Sequence, residues 1–238
     1  NTTGQDNVGV GYASLQAATT ASNNTGLGSK SLRSNTTGAQ NTAVGAECGD
    51  AITEGSNNTA VGYEAMGKLT TGSDNVAIGR AALLDSTTHS GNVAIGVEAL
   101  ENNTADSNVA VGKHSLRANT SGSVNVAVGV NALNANTTAA GNTAMGYAAL
   151  LNCTTGDSHV VMGYEAGEDL TTGAHATLLG YRAAMNSTTG NYNVVIGSNT
   201  CANMTTGSNN TVIGYGAGSG ISGSSNSVLV GFDAETSA

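Results

Sequence analysis

A glycine returns every 17 residues along this chain, each time closing a strand-like pentapeptide such as Asn75-Val76-Ala77-Ile78-Gly79. The closing glycines run Gly11, Gly28, Gly45, Gly62, Gly79, Gly96, Gly112, Gly129, Gly146, Gly163, Gly180, Gly197, Gly214 and Gly231, and only the Gly96–Gly112 interval is 16. Fourteen copies at one period define a repeat protein, in which each unit covers its neighbours and no unit folds alone. Composition agrees: no Trp, no Pro, one Phe and 34 Gly among 238 residues leave too few large side chains for an ordinary globular core.

Counting each repeat from its asparagine, position 1 is Asn in 11 of 14 copies, the exceptions being His159, Ala176 and Ser227. Position 2 is Val or Thr, position 4 is always Val, Ile, Leu or Met, and position 8 is always small. Positions 13 to 15 read Thr-Thr-Gly in half of the copies, as at Thr70-Thr71-Gly72 and Thr205-Thr206-Gly207. β-Branched residues, a glycine in every unit and the lack of a 3.6-residue stripe argue against helix and for short strands joined by turns. One rung is expected to be a strand over positions 1 to 5, a Gly bend, a second extended segment over positions 8 to 12, and a turn. The predicted fold is all-β, a parallel β-solenoid of about 14 rungs, and residues 1–238 form a single array cut from a longer protein.

Three positions trade volume. Position 3 is Gly or Ala in the first nine repeats, then Val161, Leu178, Val195, Val212 and Leu229. Position 9 runs the other way, ending in Gly167, Ala184, Cys201, Gly218 and Glu235. Position 12 becomes Ile52, Leu170, Met204 or Ile221 where position 9 is Gly or Cys. Such trading is expected among side chains that share one close-packed interior. Positions 2 and 4 lie on the opposite strand face and are apolar too, so both faces of the strand are expected to be dry. One closes the coil and the other meets a partner, leading to self-association about an axis as a homotrimer. Which face is inward stays open.

Asn-Val-Ala-Ile-Gly followed three residues later by a small residue, as in Asn75 to Gly79 with Ala82, resembles the head repeats of trimeric autotransporter adhesins (the YadA-like head) and similar repeats of phage tail fibres. The resemblance covers essentially the whole chain and implies a trimer of left-handed parallel β-rolls. The unit here is about three residues longer, by a Thr-Thr-Gly turn, and looks more like phage fibre proteins.

In this frame Asn41, Asn58, Asn75, Asn92, Asn108, Asn125 and Asn142 form a rung-to-rung ladder. Gly45, Gly62, Gly79, Gly96, Gly112, Gly129 and Gly146 are bends. Six of seven tyrosines occupy position 6, and Tyr147, Tyr164 and Tyr181 on consecutive rungs are the candidate contacts for a cell-surface glycan or protein receptor, weighed against an aromatic ladder that only stabilises the fold. The Thr column at position 13 is read as turn chemistry against an ice- or surface-binding array. Cys48, Cys153 and Cys201 are unaligned and read as small core residues, with no metal or cofactor site. His89, His114, His159 and His175 read as scattered surface residues, and Glu47, Glu64, Glu98 and Glu165 at position 7 as a solvated stripe. A net charge of −9 with seven scattered Lys and Arg argues against nucleic acid, and no apolar run reaches bilayer length. No nucleophile with its base is visible, so no enzyme activity is expected. The sequence reading is therefore an extracellular adhesive fibre segment of a virion or bacterial surface, with an ice-binding solenoid or a self-assembling filament as alternatives.

Overall fold

A computed structural model describes residues 2–235. Each 17-residue repeat makes one turn of a coil and carries one three-residue strand, over positions 2 to 4. The chain divides into two compact units, Asn1–Ser121 and Gly122–Ala238. The first holds β1 (Val8–Val10), β2 (Thr25–Leu27), β3 (Thr42–Val44), β4 (Thr59–Val61), β5 (Val76–Ile78), β6 (Val93–Ile95) and β7 (Val109–Val111). The second holds β8 (Val126–Val128), β9 (Thr143–Met145), β10 (Val160–Met162), β11 (Thr177–Leu179), β12 (Val194–Ile196), β13 (Thr211–Ile213) and β14 (Val228–Val230). Within each unit every strand pairs in parallel with the next in sequence, equal positions facing each other, as in Val76↔Val93, Ala77↔Ala94 and Ile78↔Ile95. The protein is an all-β parallel β-solenoid, and the described residues contain no helix.

The second extended segment expected over positions 8 to 12 is absent, and turn structure runs there instead. The reason is local. Position 9 is left-handed at every one of its described residues from Leu15 (φ 51°) through Leu150 (φ 53°) to Gly218 (φ 70°). Positions 7 and 17 are left-handed too, as at Glu98 (φ 56°) and Asn57 (φ 59°). An extended run cannot pass through such a residue. For leucine this conformation costs about 1–2 kcal/mol. Full burial of the same side chain returns about 1.5–3 kcal/mol, so packing wins.

Position 3 faces inward. Ala43, Ala60, Ala77, Ala94 and Ala110 of the first unit and Val161, Leu178, Val195 and Val212 of the second are all at most 1% exposed. Leu32, Leu83, Leu100, Leu116, Leu133 and Leu150 at position 9 and Ile52, Leu170, Met204 and Ile221 at position 12 are equally buried, so the three trading positions share one core. The trade is visible atom by atom. A Cβ at Gly167 would lie 2.7 Å from Leu178 Cδ1, and one at Gly49 would lie 3.0 Å from Ile52 Cδ1. Cys48, Cys153 and Cys201 are buried in that core, which pushes their thiols up to about 12, 11 and 12 respectively. Such thiols are packing groups, not nucleophiles.

The Gly bends have φ between +129° and +145°, for example +138° at Gly45, Gly79, Gly96 and Gly180. Space is closed as well: a Cβ at Gly79 would sit 2.4 Å from the Gly96 carbonyl oxygen, and Gly45, Gly62, Gly129 and Gly146 meet the following bend glycine in the same way. Gly112 carries the same conformation, with φ +134°.

The ladder does more than join amide to amide. The Asn92 backbone N–H donates to Asn75 Oδ1 (2.9 Å), while Asn75 Nδ2 donates to Asn58 Oδ1 (3.1 Å) and to the His89 carbonyl of its own rung (2.9 Å). Asn41, Asn58 and Asn142 repeat the pattern by donating to Gly55, Gly72 and Gly156 carbonyls, and Asn125 donates to Ala139. Asn108 accepts the same role toward Asn92 through its backbone N–H (3.0 Å) but turns its amide to Asn103 Oδ1 (3.3 Å). Two further ladders accompany it. Position 13 hydroxyls donate to the next position 13 carbonyl, as in Thr171 to Thr188 (3.0 Å). Position 16 oxygens accept a backbone N–H from the preceding rung, as Ser73 Oγ does from Ser56 (3.0 Å). The 16-residue repeat omits position 14, between Thr104 and Ala105. It keeps both neighbouring bonds, Thr104 to the Thr120 carbonyl (2.6 Å) and Asn92 to the Ala105 carbonyl (3.0 Å). Position 14 is the exposed one, which is why its loss is tolerated.

Candidate functional site

With position 3 turned inward, positions 2, 4 and 6 project outward on one side of the coil. Position 4 is aliphatic at every rung, and much of it is exposed: Leu27 46%, Ile78 39%, Ile95 36%, Met145 38% and Met162 43%. No segment of the chain itself covers this column among the described residues. Contiguous apolar surface of this kind marks a place of interaction.

Beside it runs position 6. Tyr147 and Tyr164 stack with ring centroids 5.0 Å apart and planes 14° from parallel, and Tyr164 and Tyr181 repeat the arrangement at 5.5 Å. Tyr215 and Phe232 form a second stack at 5.6 Å. The three candidate tyrosines therefore come together as one column. Its ring faces cover each other, so it offers the outside ring edges and phenol groups. The Arg182 guanidinium lies 5.1 Å from the Tyr181 centroid, and its Nε donates to Glu165 Oε2 (2.7 Å).

Three of the four position 7 acids, Glu47, Glu98 and Glu165, stay at the surface but carry ion pairs to neighbouring rungs. Lys30 pairs with Glu47 on the next rung (2.7 Å), and Glu98 gathers Arg80, His114 (3.1 Å) and Arg117 (3.3 Å). The hydrogen bond from Lys30 holds the Glu47 carboxyl below its ordinary range, and that from Arg80 does the same for Glu98. These are rung-to-rung staples at a wet surface, where solvent screening leaves each of them weak. Position 7 is left-handed at these residues, and its pairing with neighbouring rungs, as in Lys30 with Glu47, is a feature that residue type alone did not reveal.

The histidines separate likewise. His175 stacks on Tyr192 at 4.8 Å, and His114 meets Glu98. His159 is the exception to the surface reading: it is fully buried and stands in the Asn ladder. Its Nε2 donates to the Gly173 carbonyl (2.7 Å) and its Nδ1 accepts the Ala176 backbone N–H (3.1 Å), the two roles that Nδ2 and Oδ1 play in an asparagine. That fixes the neutral Nε2–H tautomer, and burial holds the imidazole down to about 4. Its occurrence at position 1 was the available signal.

The Thr column of position 13 spends its hydroxyls on carbonyls of the neighbouring rung, from Thr19 to Thr36 (3.0 Å) through Thr205 to Ser222 (3.1 Å). Among the described residues no three His, Cys, Asp or Glu side chains converge on a point that would hold a metal ion, and no helix is long and apolar enough to cross a membrane. No protein-family model, curated protein or solved structure matches the chain.

Proposed function

We propose that this chain is a segment of an extracellular adhesive fibre, of a phage tail or a bacterial surface, built as a homotrimer of left-handed coils. The observation that carries the proposal is that, within each unit, position 4 is aliphatic at every rung and lies on the outward face, flanked by Val or Thr at position 2. A solvated sheet face is normally polar, and here it is apolar at every rung. Three copies facing one axis bury that column and supply the large shared core that the Ala-rich interior of one chain lacks. The likeness of Asn75-Val76-Ala77-Ile78-Gly79 to YadA-like head repeats supports the same arrangement.

Such a fibre holds binding surfaces away from its anchor and repeats weak contacts along its flank, where avidity multiplies them. Tyr147, Tyr164 and Tyr181 are the proposed contact row for a surface glycan or protein. Neither catalysis nor a cofactor has a part in this reading. The ice-binding alternative loses support because position 13 hydroxyls are already hydrogen-bonded within the coil.

The test is to place charge on the outer face. Ile78→Lys with Ile95→Lys leaves the interior untouched, and the circular dichroism of the coil is expected to persist. If the face is an interface, the sedimenting mass falls from trimer to single chain. An unchanged mass with both lysines present removes the face from the assembly and the proposal with it.

A further inference from the structure

Phenol stacks on phenol at one place among the described residues. Tyr147 and Tyr164 lie 5.0 Å apart and Tyr164 and Tyr181 5.5 Å apart, both pairs 14° from parallel. The other tyrosines have different neighbours. Tyr192 stacks on His175, and Tyr215 on Phe232. In the position 6 column Tyr12 precedes Ser29, and Tyr63 stands between Ala46 and Arg80. Exposure does not mark out the three, which are 43–46% exposed against 49–79% for Tyr12, Tyr63, Tyr192 and Tyr215. Their nearness to one another does. The surroundings also leave phenol as the readiest one-electron donor. The chain has no Trp, and its three cysteines are buried thiols in the core. Met145 and Met162 lie two residues before Tyr147 and Tyr164, but a thioether gives up a single electron less readily than a phenol. The Glu165 carboxylate, whose hydrogen bond holds the Tyr164 phenol above its ordinary value, is placed to accept the proton that leaves with that electron.

We propose that the Tyr147–Tyr164–Tyr181 column is an oxidative cross-linking site, where Tyr164 couples to Tyr147 or Tyr181 of the same chain as dityrosine. The oxidant is hydrogen peroxide acting through a haem peroxidase. Each of two stacked phenols loses one electron and its phenolic proton. The two radicals pair their unpaired electrons in one new bond between ring carbons ortho to the oxygens. The proton on each bonded carbon then moves to the oxygen of its own ring, restoring both phenols. The peroxide takes up the two electrons and two protons and leaves as two waters. Stacking holds the partners in contact beforehand, so the coupling needs no encounter between molecules. The product is a covalent staple between rungs that are otherwise joined by hydrogen bonds and ring contact. A solenoid opens locally, and such a link closes one place where it can open. Both partners lie on one chain, so the inference goes beyond the adhesive reading and stands without the trimer.

The experiment treats the intact chain at neutral pH with a haem peroxidase and limiting hydrogen peroxide. The band of single-chain mass is then cut from a denaturing gel and digested for peptide mass analysis. A linked pair of peptides joining Tyr164 to Tyr147 or Tyr181 is expected, lighter by two hydrogen atoms than the two peptides together, along with the blue fluorescence of dityrosine. Tyr164→Phe keeps the ring and its stack but removes the phenol common to both pairs. It should fold as wild type does, by circular dichroism and melting temperature, while the within-chain link falls roughly tenfold or more. Tyr63→Phe should leave the link unchanged. The proposal is overturned if the single-chain band carries no link, if Tyr164→Phe retains it, or if Tyr12, Tyr63, Tyr192 and Tyr215 are linked as often as the stacked three. Conversion of Met145 and Met162 to sulfoxides without any tyrosine link overturns it as well.

Discussion

His159 makes one rung of the second unit answer to acid. In the folded chain its ring accepts the Ala176 N–H at Nδ1, and adding a proton there turns acceptor into donor against another donor. Burial, opposed by the Gly173 hydrogen bond, brings the folded value to about 4; His175 lowers it slightly and Asp157 raises it slightly. In the unfolded chain the value is about 6.5. The folded value is the lower one, so the full contribution is present above pH 6.5 and is lost as pH falls toward 4. The whole difference is about 3 kcal/mol, of which about 2 kcal/mol is gone at pH 5. Because a solenoid need not unfold as one unit, the assay is local. The protection of the Ala176 and Val160 amides against hydrogen exchange, corrected for intrinsic rates, should drop roughly thirtyfold between pH 7 and pH 5. His159→Asn installs the residue that eleven other rungs carry, and its protection should stay level over that range. An imidazole that titrates near 6.5 in the folded protein, or an equal loss in His159→Asn, refutes the reasoning.

Other consequences follow from the same geometry. Asn75→Ala leaves the Asn92 N–H and the His89 carbonyl without their partners and should cost about 3 kcal/mol in urea unfolding. Asn75→His should cost clearly less, because an imidazole already fills that role at His159. Gly79→Ala combines a forbidden φ of +138° with a Cβ 2.4 Å from a backbone oxygen, and should lower stability by at least ~3 kcal/mol, read as melting temperature. Gly167→Leu should be strongly destabilising against Leu178, and Leu178→Ala in the same chain should recover at least ~1 kcal/mol of that loss in a double-mutant cycle.

The period, the strand and the shared core of positions 3, 9 and 12 were all readable from residue type, because volume trading leaves a record in the repeats themselves. The inward face was not. Residue type does not separate positions 3 and 4, since position 3 is buried as Ala77 and equally as Leu178, while Ile78 at position 4 stays exposed. Leucines such as Leu32 and Leu100 in left-handed backbone were hidden for the opposite reason: local preference forbids what tertiary burial imposes. The turn that replaced the second extended segment follows from those leucines. The position 16 ladder escaped notice because Ser73, Asp106 and Asn191 share an acceptor oxygen rather than a residue type. His159 looked like a stray surface group, although it stands where eleven repeats carry Asn and imidazole can present the same donor and acceptor.

In the proposed fibre, other copies of the chain cover the outward aliphatic residues of position 4. Sedimentation equilibrium of the purified chain at several concentrations tests it most directly. A trimer gives one species of three times the 23.3 kDa chain mass, independent of loading. A single-chain mass, or a mass that grows without limit as concentration rises, contradicts it.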